Sequence, residues 1–330
     1  MKAAYIERTG PPEVIVLGDL PAPRPGPTQC LVRVTAVDMN PIDVYWRSGM
    51  VPAKMAFPFI LGRDLAGVVV ETGAEVQRFK PGDRVWATNQ GFGGRPGTFS
   101  ELAAVDEEWL HPIAPGVSDE TAVALSLVGV TALLGLSLHA RLQAGETILV
   151  NGGAGGVGSC VVQMAKAVGA RVIATAGSAE KVAACRALGA DAALNYRTQD
   201  VAAALQELAP GGVNVWWETA REPDLARAVA ALALRGRMVL MAGRDARPAL
   251  PVGPFYVKDC RLVGFAMFNA PSHEIRAAAE GLNRWSAEGK VQARIDRVLP
   301  LAAAAEAHRL QEASTLGQSG AVSGKIVLKP

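Results

Sequence analysis

The stretch Asn151-Gly-Gly-Ala-Gly-Gly-Val-Gly158 contains the spacing Gly153-x-Gly155-x-x-Gly158. A short apolar run, Ile148 to Val150, leads into it. A helix-forming segment from Val157 to Val168 follows and stops at Gly169, and a second apolar run spans Arg171 to Thr175. Strand, tight turn, helix and strand form the setting in which this spacing marks a dinucleotide site. Gly153 allows a sharp turn off the strand. Gly155 has no Cβ, so a pyrophosphate can approach the backbone, and Gly158 lets the helix lie close to the sheet. The first amides of a helix lack internal partners and sit at its positive end. The backbone of Gly153, Ala154, Gly155, Gly156 and Val157 is therefore the candidate pyrophosphate cradle.

The end of the second strand bears on which dinucleotide binds. A site for NAD usually places Asp or Glu about 20 residues past the glycines, to hold the ribose 2′-hydroxyl. Here the text is Ala174-Thr-Ala-Gly-Ser-Ala-Glu-Lys181, with nothing acidic at the strand end. Glu180 falls inside the next helix, for which Ser178 is the expected N-cap. Small residues leave room, Ser178 can donate and Lys181 brings positive charge. These features predict NADP(H) over NAD(H).

The elements that must position these residues fall into three blocks. Residues 1–123 carry short strands broken by Gly and Pro, with good candidates at 31–37 and 65–71 and a turn followed by a strand over 80–87. Residues 124–267 alternate strands with helices: helices over 157–168, 179–188, 200–208 and 225–234, and strands over 192–194, 213–217, 237–242 and 261–265. That alternation predicts a parallel, doubly wound α/β sheet. Residues 268–330 hold helices over 274–288 and 302–313, and strands near 295–299 and 324–329.

Composition narrows the class. The 330 residues are 50% hydrophobic and 19% charged, which suits a folded globular chain. A net charge of +2, with no basic run, predicts neither a nucleic-acid nor an acidic-membrane partner. The most apolar stretch, 122–138, reads as a buried helix rather than a membrane span. With no apolar signal core after Met1, a cytoplasmic location is expected. Cys30, Cys160, Cys185 and Cys260 stand singly, without a Cys-x-x-Cys, and read as free buried thiols. His111, His139, His273 and His308 are isolated.

The chain resembles the medium-chain dehydrogenase/reductase superfamily, in its zinc-free quinone oxidoreductase (zeta-crystallin-like) branch. The resemblance rests on Val37-Asp-Met-Asn-Pro-Ile-Asp-Val-Tyr-Trp-Arg-Ser-Gly49, Ile60-Leu-Gly-Arg-Asp-Leu-Ala-Gly-Val68 and Lys80-Pro-Gly-Asp-Arg-Val85. It extends through Asn151–Gly158, Gln163–Lys166, Leu188–Asp191 with Asn195-Tyr-Arg197, and Gly324–Val327. It implies a Rossmann NADP(H)-binding domain (residues 124–267) inserted in a GroES-like, partly open β-barrel domain (1–123 and 268–330). A homodimer or homotetramer is also implied. Zinc-using relatives carry a Cys near positions 38–40 and a Gly-His-Glu segment. This chain has Asp38-Met39-Asn40 and Gly62-Arg63-Asp64, so no metal is expected.

Without a metal to polarise an alcohol, an electron-poor acceptor fits: a quinone or an α,β-unsaturated carbonyl (an enone), reduced by hydride. By the same resemblance Asn40 lies near the nicotinamide and substrate, and Tyr45 donates a proton or lines the pocket. Thr131, Ala242, Gly243, Phe265 and Phe268 flank the nicotinamide, Lys181 and Tyr196 contact the 2′-phosphate, and Lys325 contacts the cofactor. The tyrosine that many relatives carry just after the Ser-Gly is missing, because Met50 and Val51 stand there. One rival is an enoyl-thioester (acyl-CoA) reductase, with Arg47, Lys54, Arg95, Arg244 and Arg247 as a basic mouth and Arg47 or Arg95 holding an acidic substrate. A second rival is a non-catalytic NADPH-binding protein.

Overall fold

The computed structural model describes residues 1–51, 55–317, 319–320 and 322–330. Lys54 lies outside them. The chain forms two compact units, Met1–Leu127 with Ala270–Pro330, and Val128–Asn269.

The first unit is built on a seven-stranded sheet. Its path runs Ile295–Pro300, Lys325–Lys329, Gln29–Asp38, Leu65–Thr72, Arg84–Ala87 and Leu110–Pro112, with Leu102–Asp106 paired to Gln29–Asp38 off that path. Alternation along these Val-rich strands puts Val32, Val34, Val69, Val85, Leu110, Ile326 and Leu328 into one core with Ile6 and Phe99. The terminal strand pairs antiparallel with the long one: Val327 lies opposite Asp38, and Met39 N donates to Ile326 O at 2.9 Å. The same register carried on sets Lys325 opposite Asn40.

The helix Pro41–Ser48 begins directly after that strand. Pro41 suits its first position, where an N–H would have no partner. Asn40 N donates to Asp43 Oδ2 at 2.9 Å and Asp43 N to Asn40 O at 3.0 Å, and Gly49 ends the helix at φ +82°. Its buried face includes Val44, Trp46 and Arg47. Arg47 donates to the Gly10 carbonyl and pairs with Glu312 on the helix Ala304–Thr315.

The second unit is a six-stranded parallel sheet in the order Ala192–Asn195, Arg171–Ala176, Thr147–Asn151, Val213–Glu218, Leu232–Leu240, Arg261–Gly264. This is the expected doubly wound sheet, and its order reverses between Thr147–Asn151 and Val213–Glu218. One expected boundary is wrong. The helix starting at Leu225 ends at Ala231, and strand Leu232–Leu240 takes up residues read as helix to 234. Val213 already pairs with Leu232, and a register shift follows, with Arg235 in the left-handed region at φ +60°. The pairing overrides the helix propensity of Ala-Leu-Ala-Leu. The run Asp119–His139 is long and apolar enough to cross a membrane, but its most apolar 18-residue stretch is 72% buried within the protein.

Two histidines are buried without charge. Neither ring nitrogen of His308 finds a partner among the described residues. Burial, and then the Arg47 guanidinium, pushes its pKa from 6.5 down to about 3. His111, tilted against Trp86 at 4.6 Å, is pushed to about 3 by burial and then by Arg78 and Arg276. A base depressed in the fold contributes its stability in full above the unfolded value, and that stability is lost as pH falls toward the folded one. Each histidine therefore adds about 1.4 kcal/mol per pH unit to the loss of stability between those limits. His308→Leu should match or exceed wild-type stability near neutral pH, because a partnerless polar group becomes apolar. It should also lessen the acid slope by about 1.4 kcal/mol per pH unit. Urea unfolding across the weakly acidic range measures both, and an unchanged slope would show that His308 is not neutral in the fold.

Candidate active site

The glycine turn differs in detail from its sequence reading. The residue that turns the chain off the strand is Gly152, at φ +85°, and not Gly153. Gly153 is needed for close approach: an added Cβ would lie 2.8 Å from Ala174 Cβ and 3.1 Å from Cys185 Sγ. At Gly158 an added Cβ would lie 2.2 Å from the Gly152 carbonyl oxygen, so the helix Gly156–Val168 lies against the turn that starts it. Gly155 is less crowded, since a Cβ there would meet only that same oxygen, at 3.3 Å. Ser159 N donates to Gly155 O at 2.9 Å, and the amides of Gly156 and Val157 precede that bond at the helix start.

A polar floor lies under the turn at the switch point. Asn151 Nδ2 donates to Glu218 Oε1 at 2.8 Å, and Thr175 Oγ1 donates to Asn151 Oδ1 at 2.6 Å. Glu218 also accepts from Trp216 Nε1 at 3.0 Å and Ala220 N at 2.7 Å. Burial raises its pKa in spite of these donors. Sequence reasoning ended this strand at Trp217 and passed over Glu218. The signal was a carboxylate one residue past an apolar run.

The end of strand Arg171–Ala176 gathers the expected 2′-phosphate residues. Ser178 caps the helix Ala179–Ala187, accepting from Lys181 N at 3.2 Å, and its own hydroxyl proton remains available to donate. A Cβ on Gly177 would lie 2.4 Å from Tyr196 Oη and 3.4 Å from Arg197 Nε, so both side chains lie over Gly177. Tyr196 is 48% exposed, Lys181 half-buried and Arg197 exposed. Arg197 stands in a quoted motif but had been given no role.

The other expected cofactor residues of this unit are more dispersed. Thr131 is buried in the helix Asp119–Leu134. Ala242 and Gly243 follow strand Leu232–Leu240, with Gly243 at φ +78°. Phe265 stacks on His139, ring centres 4.4 Å apart, and meets the Trp217 ring edge-on at 6.3 Å. Phe268 is exposed.

In the first unit the structure joins Asn40 to Lys325. Lys325 Nζ donates to Asn40 Oδ1 at 2.6 Å and Met39 O at 2.8 Å, and lies 2.7 Å from Asp38 Oδ2. Asn40 Nδ2 donates to Asp64 Oδ2 at 2.6 Å and Asp38 Oδ1 at 3.1 Å. Asp43, 3.4 Å from Arg63 Nε, adjoins the cluster. All seven residues are buried. Burial raises Asp38 well above the ordinary carboxylate range, with Lys325 opposing, and raises Asp43 to about 6. Lys325 is expected to contact the cofactor; in the structure the three hydrogens of its ammonium face three acceptors of the chain. Asn40 is likewise committed inward through both amide hydrogens.

Tyr45 is half-buried on the helix Pro41–Ser48. Arg47 is fully buried and paired, so it is not available to an acidic substrate. Arg95 is half-buried, donating Nε to Asn89 O at 2.9 Å and lying 4.3 Å over the Trp109 ring.

Comparison with known proteins places the chain. Residues 26–115 match the alcohol dehydrogenase GroES-like domain, and residues 156–284 match the zinc-binding dehydrogenase family. A quinone oxidoreductase of Pseudomonas aeruginosa is 35% identical, with 93% of each chain covered. Among solved structures, Escherichia coli quinone oxidoreductase complexed with NADPH superposes with TM-score 0.87 at 26% identity, covering both chains fully. An NAD-dependent alcohol dehydrogenase superposes with TM-score 0.89 at 31% identity, also over both full chains. The chain belongs to the medium-chain dehydrogenase/reductase superfamily. It is an oxidoreductase of the quinone oxidoreductase branch, a Rossmann domain inserted in a GroES-like domain.

Part of this family holds zinc, and the donor set here does not suit it. A catalytic zinc needs three thiolate, imidazole or carboxylate ligands. The Asp38 carboxylate is already paired with the Lys325 ammonium, Asp64 accepts from an amide, and Arg63 carries a guanidinium. No group of three or more His, Cys, Asp and Glu that could hold a metal occurs among the described residues.

The glycines make a sharp pair of tests. Gly158→Ala must push a Cβ into backbone and should cost about 3 kcal/mol or more. Gly155→Ala meets one tight contact, a backbone oxygen at 3.3 Å that must give by a few tenths of an ångström, and should cost about 1 kcal/mol. Denaturant unfolding of both variants checks the contrast, and equal losses would contradict it.

Proposed function

We propose that this protein reduces quinones or α,β-unsaturated carbonyls with NADPH, without zinc. The observation that carries the cofactor reading is the corner at Gly177. Ser178, Lys181, Tyr196 and Arg197 gather at the end of strand Arg171–Ala176, and no carboxylate stands there to take a ribose 2′-hydroxyl. A 2′-phosphate suits two cations and two hydroxyls. The less crowded face of Gly155 and the amides of Gly156 and Val157 suit the pyrophosphate. Thr131, Ala242, Gly243, Phe265 and Phe268 then line the nicotinamide.

NADPH, when bound, supplies the hydride. The chain's own task is to orient the acceptor, stabilise the enolate-like oxygen that develops and return a proton to it. With Met50 and Val51 unable to donate, Tyr45 is the side chain assigned to the proton, directly or through water. For the enoyl-thioester reading, the burial and ion pair of Arg47 leave Arg95, Arg244 and Arg247 as its described basic groups.

Fluorescence titration should find NADPH bound at least ~10-fold more tightly than NADH, from one charge-assisted contact worth roughly 1.5–3 kcal/mol. Lys181→Ala should remove most of that preference. NADPH oxidation should be saturable with a simple quinone or enone. Equal affinity for the two cofactors would overturn the cofactor reading, and faster turnover of an enoyl-CoA would transfer the assignment to the thioester reductase.

The same reading includes a homodimer. Strand Arg261–Gly264 is an edge of its sheet among the described residues, and Leu234, Val252, Tyr256, Val257 and Leu262 are exposed large apolar side chains on and near it. Sedimentation should give a multiple of the 34.4 kDa chain mass, and a monomer at micromolar concentration would refute this.

A further inference from the structure

We propose that Lys325 and Asn40 act as one positioning unit, locking the start of the helix Pro41–Ser48 and so the placement of Tyr45, and that neither serves as a direct cofactor contact. The geometry argues this from both sides. Lys325 comes from the terminal strand and reaches a residue 285 positions earlier, at 2.6 Å. Its ammonium takes the amide oxygen of Asn40, while Asp38 and Asp64 take the two amide hydrogens. An asparagine amide has two orientations, and this set of partners accepts only one. The backbone of Asn40 is tied as well, through its N–H to Asp43 Oδ2 at 2.9 Å. Asp43 is in turn 3.4 Å from Arg63, which stacks 4.2 Å over Trp46, one residue from Tyr45 on the helix. The start of the helix is thus held at its amide, its first turn and its buried aromatic, and each hold passes through a residue bonded to Asn40 or Asp43.

The catalytic consequence rests on the reductase reading above, and the test is chosen to keep the two apart. Lys325→Met alone leaves Asp38 facing no cation, so the neutral pair Asp38→Asn with Lys325→Met is the safer variant if the single one fails to fold. NADPH affinity should stay within about 2-fold of wild type in either variant, whereas loss of a direct phosphate or ribose contact would weaken it about 10-fold or more. Turnover should fall about 10- to 100-fold, the scale expected when a reacting group is displaced by about an ångström. KM for the acceptor should change little. Asn40→Ala should lose as much as Lys325→Met, and the double variant should lose no more than either. A 10-fold loss of NADPH affinity, or losses that multiply in the double variant, would overturn the proposal. If the wild type reduces no quinone or enone, the reductase reading fails on that result alone. The NADPH titration and the same double-mutant cycle read in unfolding free energy then decide the positioning unit: additive unfolding effects reject it and coupled ones support it.

Discussion

The ammonium of Lys325, set among carboxyls that the fold removes from solvent, is the interaction on which the first unit depends. Burying an ion costs several kcal/mol, and the attraction of its partner repays this only when the remaining hydrogen-bonding capacity is used. Here it is used: the ammonium has three acceptors, and the Asn40 amide it touches has both hydrogens accepted. The arrangement exists because the strand Lys325–Lys329 returns to pair with Gln29–Asp38 in one register. A shift of one residue would turn Lys325 to the other face and leave Asp38 without its cation. The apolar face of the same strand, Ile326 and Leu328, is fixed in the core by that register too, so packing and charge pairing specify it together.

The second unit meets a similar demand with neutral partners. Its switch point opens between Thr147–Asn151 and Val213–Glu218, where two strand ends meet and backbone groups run out of ladder partners. Asn151, Thr175 and Glu218 close that gap as a hydrogen-bonded floor. Thr219 Oγ1 donates to the carbonyl of Asn151 at 2.6 Å, and a Cβ on Gly152 would collide with that same hydroxyl at 2.3 Å. The turn is therefore specified from below by side chains of other strands as much as by its own glycines.

How much of this was legible in the sequence follows the range of the physics involved. The Rossmann sheet, the helix after Gly155 and the N-cap at Ser178 are set by local patterns, and they were readable. The sharp turn off the strand was assigned to Gly153, whereas the positive φ falls at Gly152, because spacing shows that a turn is needed and not which φ inverts. The helix end at Ala231 was missed because a strand pairing with Val213 decided it. Arg47 was read as part of a basic mouth for an acidic substrate, since nothing local announces a partner at Glu312. Asn40 and Lys325 were both picked out, through the resemblance to the superfamily, but as separate cofactor contacts. Their bond depends on a strand register spanning nearly the whole chain, which no window of sequence contains.

The same cluster bears on how a chain matching a family described as zinc-binding fills the place where a metal's ligands would be sought. Asp38, Asp43 and Asp64 interact with Arg63 and Lys325 in one buried region, three acids against two cations. A metal would be one way to balance that charge, but it would have to displace an ammonium and a guanidinium that already hold the carboxylates. Burial, opposed by Lys325 and reinforced by Asp64, raises Asp38 well above the ordinary carboxylate range.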